Sequence, residues 1–192
     1  MTSRLLIVTL MAIAMMFGNA AVGLPQNKVA SWLDEAKPSP WNKPDAAIPA
    51  APKLQGATDP RCREAARPPQ LDEDKRVREQ GWDLVGAFQG GWEMLVIQAT
   101  AGYDGMCRPR QYQAFVFMRG VFAGTLSPQP MDSRTDGALE RVSLQSGARL
   151  TADYARYAAK DALCCPSGTT HVVFDIATDG ALTPVSASTS KR

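Results

Sequence analysis

Two runs rich in apolar residues, Gln111-Tyr-Gln-Ala-Phe-Val-Phe-Met118 and Val121-Phe-Ala-Gly-Thr-Leu126, carry the clearest structural signal in this chain. Their aromatic and β-branched residues favour extended strands. Arg119 and Gly120 separate the runs, and a glycine at this position is typical of the two-residue turn in a β-hairpin. The pattern therefore predicts two antiparallel strands joined by a tight turn.

The same pattern recurs on both sides of this hairpin. Further pairs of short apolar runs are separated by glycine-containing turns, and they cover residues 82–88 with 92–98, 139–145 with 149–157, and 169–176 with 181–185. Consecutive strands of this kind usually pair in antiparallel order. Together with the central hairpin, they predict about eight short strands in an antiparallel meander.

One helix is predicted before the strands, over residues 70–80. Acidic residues come first and basic residues later, an order that suits the helix dipole, and Gly81 is a typical C-terminal stop. Leu71 and Val77 would face inward. The expected fold class is α+β, with one N-terminal helix packed on a strongly curved antiparallel sheet and braced by disulfides.

The N-terminus has the layout of a secretory signal peptide over residues 1–23. Arg4 is followed by an apolar run to Phe17 and then by small residues, so cleavage is expected after Ala20 or Gly23. The alternative is an uncleaved membrane anchor, which would also carry the rest of the chain out of the cytoplasm. The expected location is the periplasm or the exterior of the cell.

Residues 24–60 are predicted to form a proline-rich linker, because nine of the fourteen prolines lie between residues 24 and 69. Trp32 and Trp41 within it could dock on the domain, bind a partner or be loosely held. The globular domain is expected to cover residues 61–187, followed by a tail at residues 188–192.

Four cysteines in an exported chain predict two disulfides. They are Cys62, Cys107, Cys164 and Cys165. A zinc site is disfavoured because no Cys-x-x-Cys pair occurs. The connectivity stays open, but a bond between the adjacent Cys164 and Cys165 would close a cramped ring. The favoured arrangement joins each of them to one of the two separate cysteines.

No catalytic constellation is evident in the sequence. His171 is the single histidine, and no Gly-x-Ser-x-Gly motif accompanies it, so we expect it to lie exposed on a strand beside Val173 and Asp175. The chain has 21 basic and 19 acidic residues, a balance that does not suggest nucleic-acid binding. No cofactor and no metal site are expected.

The polar segment 102–110 is the expected place for ligand contacts, because a loop held by a disulfide presents its side chains rigidly. The candidate contact residues are Tyr103, Asp104, Arg108 and Arg110.

Several motifs resemble those of the LppP/LprE family of bacterial envelope proteins. They are the element Asp161-Ala-Leu-Cys-Cys-Pro-Ser-Gly168 with the following strand 171–176, Cys107 before an aromatic strand, and Phe122-Ala-Gly-Thr-Leu-Ser-Pro128. The resemblance covers about residues 62–182. It implies an exported domain of unknown biochemical role. Founding members carry a cysteine at the cleavage site; this chain has none there, so lipid anchoring is not expected.

The favoured function is a non-enzymatic binding or structural module of the cell envelope. Its partner would be an unknown envelope protein or a small ligand, with no nucleic acid, and with membrane contact only through an uncleaved signal segment. The alternative is a periplasmic hydrolase that uses His171 or an acidic residue in a pocket.

Overall fold

The computed structural model describes residues 31–54, 60–64, 66–162 and 164–192. The predicted signal peptide lies outside these ranges, as does part of the predicted linker. The described residues form two short α-helices and nine strands, and the strands make two antiparallel sheets.

The helices are α1 (Pro60–Arg63) and α2 (Asp72–Glu79), and a single 3-10 turn at Trp32–Asp34 precedes them. The strands are β1 (Asp83–Leu84), β2 (Gln89–Gly91), β3 (Met94–Tyr103), β4 (Pro109–Met118), β5 (Val121–Thr125), β6 (Ala138–Gln145), β7 (Arg149–Arg156), β8 (Gly168–Ile176) and β9 (Leu182–Lys191).

The first sheet contains β1 to β5, in the order β1-β3-β4-β5, with β2 also paired to β3. The hairpin predicted across Arg119 and Gly120 is present as β4 and β5. Both turn residues have positive φ angles, 51° and 79°, as a tight hairpin turn requires. The second sheet is the meander β6-β7-β8-β9, and its two predicted hairpins are present.

The predicted α+β fold, with one helix on a single curved sheet, is wrong. The chain is mostly β-structure in two sheets, and α2 is only eight residues long. The alternation of apolar residues identifies a short strand in the sequence, but it does not show which sheet that strand joins. The change of sheet occurs in the connection between β5 and β6, where residues 126–137 lead from one sheet to the other.

The main hydrophobic core lies between the two sheets. It includes Val96 and Val116 from the first sheet and Leu150, Val172 and Phe174 from the second. A second cluster covers the opposite face of the first sheet, where Val77 of α2 packs near Trp82 and Phe115. The first sheet is therefore buried on both faces, which explains the nearly continuous apolar sequence of β4.

Residues 31–54 of the proline-rich segment run across both sheets, and apart from the 3-10 turn at Trp32–Asp34 they form no helix or strand. Leu33 is 1% exposed in the main core, and Trp41 packs against Phe174 of β8. Further along, the indole Nε1 of Trp82 donates a hydrogen bond to the carbonyl of Pro49, at 2.8 Å. Trp32 packs edge-on against Tyr154 of β7. Trp32 and Trp41 thus both dock on the domain, which was one of the alternatives that their sequence context left open.

Candidate functional site

The turn between β3 and β4, residues 104–108, is held by a network around one carboxylate. Oδ1 of Asp104 accepts hydrogen bonds from the backbone amides of Met106 and Arg108, at 2.8 and 3.0 Å, and Oδ2 accepts from the Arg108 guanidinium at 2.6 Å. The hydrogen bond from the Arg108 side chain is the main reason that the pKa of Asp104 lies below its usual value. The two charged side chains therefore satisfy each other.

A disulfide ties this turn to the N-terminal part of the domain. Cys107 in the turn is bonded to Cys62 of α1, and the two Cα atoms are 4.8 Å apart. Because Cys62 is completely buried, the bond anchors the turn to the interior. The network and the disulfide together hold the turn in one place.

The favoured cysteine connectivity is wrong, since Cys164 is bonded to its neighbour Cys165. The two residues lie in the connection between β7 and β8, where the amide of Cys165 donates to the carbonyl of Ala162 at 3.0 Å. The expected arrangement required extended chain, in which adjacent side chains point to opposite faces. Here the backbone turns instead, and both cysteines are exposed.

An open cleft of about 370 Å³ lies beside the β3–β4 turn. We call it the arginine cleft because three arginines line it. Its lining residues are Asp104, Arg108, Pro109 and Arg110 on one side, and Asp132, Ser133, Arg134, Thr135 and Tyr157 on the other.

The second wall of the arginine cleft is positioned by Gln111 and Tyr112 of β4. Met131 forms an isolated β-bridge with Tyr112, and the Gln111 side chain and backbone amide donate to the two carboxylate oxygens of Asp132, at 2.8 and 3.0 Å. The buried Tyr112 hydroxyl donates to the carbonyl of Gly137 at 2.6 Å. Burial is the main cause that raises the pKa of this phenol, so it stays a neutral donor.

Arg134 links the arginine cleft to the β7–β8 connection. Its guanidinium lies over the Tyr157 ring, with 4.9 Å from Cζ to the ring centroid, and Nη2 donates to the carbonyl of Asp161 at 2.6 Å. The carboxylate of Asp161 in turn accepts from the amides of Ala158 and Ser167, at 2.7 and 2.9 Å, and these bonds lower its pKa. Nη1 of Arg134 is buried and has no hydrogen-bond partner among the residues that the structure describes.

A second cleft, of about 390 Å³, shares Tyr157 with the arginine cleft. Its charged lining residues are Asp34, Arg156 and Lys191. Arg156 and Asp34 form an ion pair at 2.7 Å, which joins the N-terminal segment to the end of β7.

Three of the four residues predicted from the sequence, Asp104, Arg108 and Arg110, line the arginine cleft. Tyr103 does not, because its side chain points into the protein and is only 6% exposed. Its hydroxyl is buried and finds no hydrogen-bond partner in the described part of the chain, and burial is the main cause that raises its pKa. A ligand contact for any of the four stays a prediction.

Sequence reasoning missed the opposite wall, above all Arg134 and Tyr157. No short motif links them to the β3–β4 turn, since they follow β5 and β7 and meet it only through the packing of the two sheets. The one available signal was the polar segment 132–136, which interrupts the apolar pattern between two strands.

His171 lies on the outer face of the second sheet. The ring is half-exposed, and its Nδ1 is hydrogen-bonded to Oδ1 of Asp153 on β7 at 2.7 Å. Ser188 of β9 is its register neighbour on the other side. The row resembles a Ser-His-Asp set in composition, but His171 lines neither of the two clefts described above.

The site lies inside a segment that comparison with known families recognises. Residues 92–179 match the LppP/LprE lipoprotein family. The match confirms the resemblance drawn from the Cys-Cys-Pro-Ser-Gly element, although it is narrower than the expected 62–182. Every residue that lines the arginine cleft falls within the LppP/LprE match. The match indicates an envelope protein, and the disulfides fit an exported domain.

Searches of curated proteins and of solved structures gave no match. Within the described residues, no helix combines the length and apolar character needed to span a bilayer. Nor do these residues contain a group of three or more His, Cys, Asp or Glu side chains placed to hold a metal ion.

Proposed function

We propose that this protein is a non-enzymatic binding module of the cell envelope, periplasmic or secreted, and that the arginine cleft is its ligand site. The observation that carries the proposal is the way the cleft is built. One wall is a turn held by a disulfide to the buried Cys62, and the other is held by hydrogen bonds to β4. Ligand sites are typically concave and largely preformed, with a few placed polar groups.

A steric block tests the site without assuming the chemistry of the ligand. Thr135 is exposed at the edge of the arginine cleft, so Thr135→Trp should fill the cleft. Thr178 is equally exposed in the β8–β9 turn, at the opposite end of the second sheet, and Thr178→Trp is the matched control.

The purified mature chains would be incubated with envelope extract and examined by native mass spectrometry. We expect a bound molecule on the wild type and on Thr178→Trp, and none on Thr135→Trp. If all three chains carry the bound molecule equally, the cleft is not the binding site. If none of them carries a bound molecule, the proposed binding function is wrong.

The hydrolase alternative has one observation in its favour, the close pairing of His171 with Asp153. Against it, the pair lies on an open sheet face, whereas acyl transfer needs a site that positions substrate and oxyanion donors. Turnover of p-nitrophenyl acetate and p-nitrophenyl phosphate would be compared for the wild type and His171→Ala. We expect no His171-dependent hydrolysis; a rate that the substitution abolishes would make this protein an enzyme.

A further inference from the structure

The three arginines of the cleft differ in how their charge is compensated. Arg108 forms an ion pair with Asp104 at 2.6 Å, so this pair is neutral as a unit. Arg110 and Arg134 form no ion pair among the described residues. The lining of the cleft therefore contains two arginines that are not held in an ion pair.

Arg110 is placed to meet a ligand from solvent. It lies near the start of β4, where its carbonyl accepts a hydrogen bond from the buried Thr100 hydroxyl at 2.6 Å. Its backbone is thus fixed in the sheet, opposite Gly102. The side chain is exposed and makes no hydrogen bond to the part of the chain that the structure describes. All five guanidinium donors are open for binding.

Arg134 supplies charge from the opposite wall. It is half-buried, it stacks on Tyr157, and its partner at Nη2 is a neutral carbonyl rather than a carboxylate. The Asp161 carboxylate is close enough to interact electrostatically with Arg134, but it forms no ion pair with it. Nη1 of Arg134 is a buried donor without a hydrogen-bond partner among the described residues, and an anion that accepts from it would relieve this cost.

The acidic residue on this wall does not cancel the positive charge. Both carboxylate oxygens of Asp132 are engaged by Gln111, so Asp132 serves to hold the wall in place. Its single negative charge balances only one of Arg110 and Arg134. The charged residues that line the cleft therefore carry one net positive charge.

We propose that the arginine cleft binds a small anion through a carboxylate or phosphate group, with Arg110 as the direct contact and Arg134 as the second positive charge. Guanidinium groups match both anions by paired, parallel hydrogen bonds. The proposal rests on the proposed function of the cleft and names the class of its ligand.

The experiment is isothermal titration calorimetry on the full mature chain with three probes. Succinate presents carboxylates, inorganic phosphate presents a phosphoryl group, and succinamide is the uncharged analogue of succinate. The variants are Arg110→Gln and Arg134→Lys, with Arg141→Gln as the control. Arg141 is also exposed on a strand, but it lies on the outer face of the second sheet.

We expect succinate, phosphate or both to bind the wild type and the control with equal affinity, and succinamide not to bind. Arg110→Gln should weaken binding by about tenfold or more, which corresponds to ~1.4 kcal/mol. Arg134→Lys keeps the charge, so it should weaken binding less than Arg110→Gln. The stronger of the two anions identifies the ligand group as carboxylate or phosphate.

Two results would overturn the inference: binding of neither anion at millimolar concentration, or equal weakening by Arg110→Gln and Arg141→Gln. If an uncharged molecule from the envelope extract is lost on Thr135→Trp while both anions fail to bind, the binding function stands and only the anion assignment falls. If no molecule from the extract binds in the cleft either, both the binding function and the anion assignment are wrong.

Discussion

The side-chain amide of Asn42 and the backbone of Thr125 are hydrogen-bonded in both directions. Nδ2 of Asn42 donates to the Thr125 carbonyl at 3.1 Å, and Oδ1 accepts from the Thr125 amide at 2.9 Å. The same Nδ2 also donates to the carbonyl of Leu182 in β9, at 2.9 Å. One side chain of the N-terminal segment therefore connects the end of the first sheet with the edge of the second.

Asn42→Ala should lower the free energy of unfolding by about 1–3 kcal/mol, because it leaves backbone groups of both sheets without partners. Urea denaturation would measure the loss. Lys43→Ala is the control, since Lys43 is exposed and next in sequence. Equal midpoints for the two variants would contradict the role of Asn42.

The two disulfides should differ strongly in their contribution to stability. Cys62 and Cys107 are 45 residues apart, so the chain-entropy model gives about 4 kcal/mol for their bond, against about 1 kcal/mol for the adjacent Cys164 and Cys165. Paired Cys→Ser substitutions at each bond, unfolded in guanidinium chloride without reductant, would measure both values. A larger loss for the adjacent pair would refute this ranking.

Trp41→Ala should destabilise the protein by about 2–4 kcal/mol. The indole packs edge-on against Phe174 and donates from Nε1 to the Thr125 carbonyl at 3.0 Å. Trp92 is the matched control, because it is 64% exposed and its replacement by Ala should have little effect on stability. Differential scanning calorimetry would compare the melting temperatures. Similar values for the two variants would show that residues 31–54 contribute little to the fold.

The buried ion pair between Arg67 and Asp74 makes the free energy of unfolding depend on pH in the acidic range. Burial by itself would raise the pKa of Asp74, but hydrogen bonds from Arg67 and from the Gln70 and Leu71 amides outweigh it and hold the pKa below 3.8. The unfolded state therefore binds a proton more readily than the folded state. The stabilisation is complete above the unfolded pKa and is lost as pH falls through the folded pKa.

Asp74→Asn should lower the free energy of unfolding at pH 7 by roughly 3 kcal/mol, since Arg67 keeps a buried charge without its counter-charge. It should also flatten the fall in stability below about pH 4. Urea denaturation at several pH values measures both effects. Asp72→Asn is the control on the exposed side of α2, and an acid profile as steep in Asp74→Asn as in the wild type would rule out this pair as the cause.

Local patterns predicted the elements better than their arrangement. The helix around Val77 and the hairpin across Gly120 are present because each depends on residues close in sequence. The division into two sheets was missed, because it depends on which distant strands pack together. The prolines of residues 31–54 explain why this segment forms no long helix or strand, but its docking depends on apolar surfaces that only the assembled sheets create.

One wall of the arginine cleft could be predicted from the sequence. A polar turn beside Cys107 was sufficient to nominate Asp104, Arg108 and Arg110. Tyr103 was included with them, but strand alternation at the end of β3 turns it inward. No sequence pattern connects Arg134 with its hydrogen-bond partner Asp161. The two residues are 27 positions apart and meet only after both sheets have formed.

The sequence by itself determined the strands, the short helix and the family model that residues 92–179 match. These properties depend on local periodicity or on residue type. Only the tertiary structure decided which cysteines pair, where the proline-rich segment lies, and which charges face one cleft. Those outcomes depend on distances between residues far apart in the chain, which are set when apolar faces pack against each other and no local pattern encodes them.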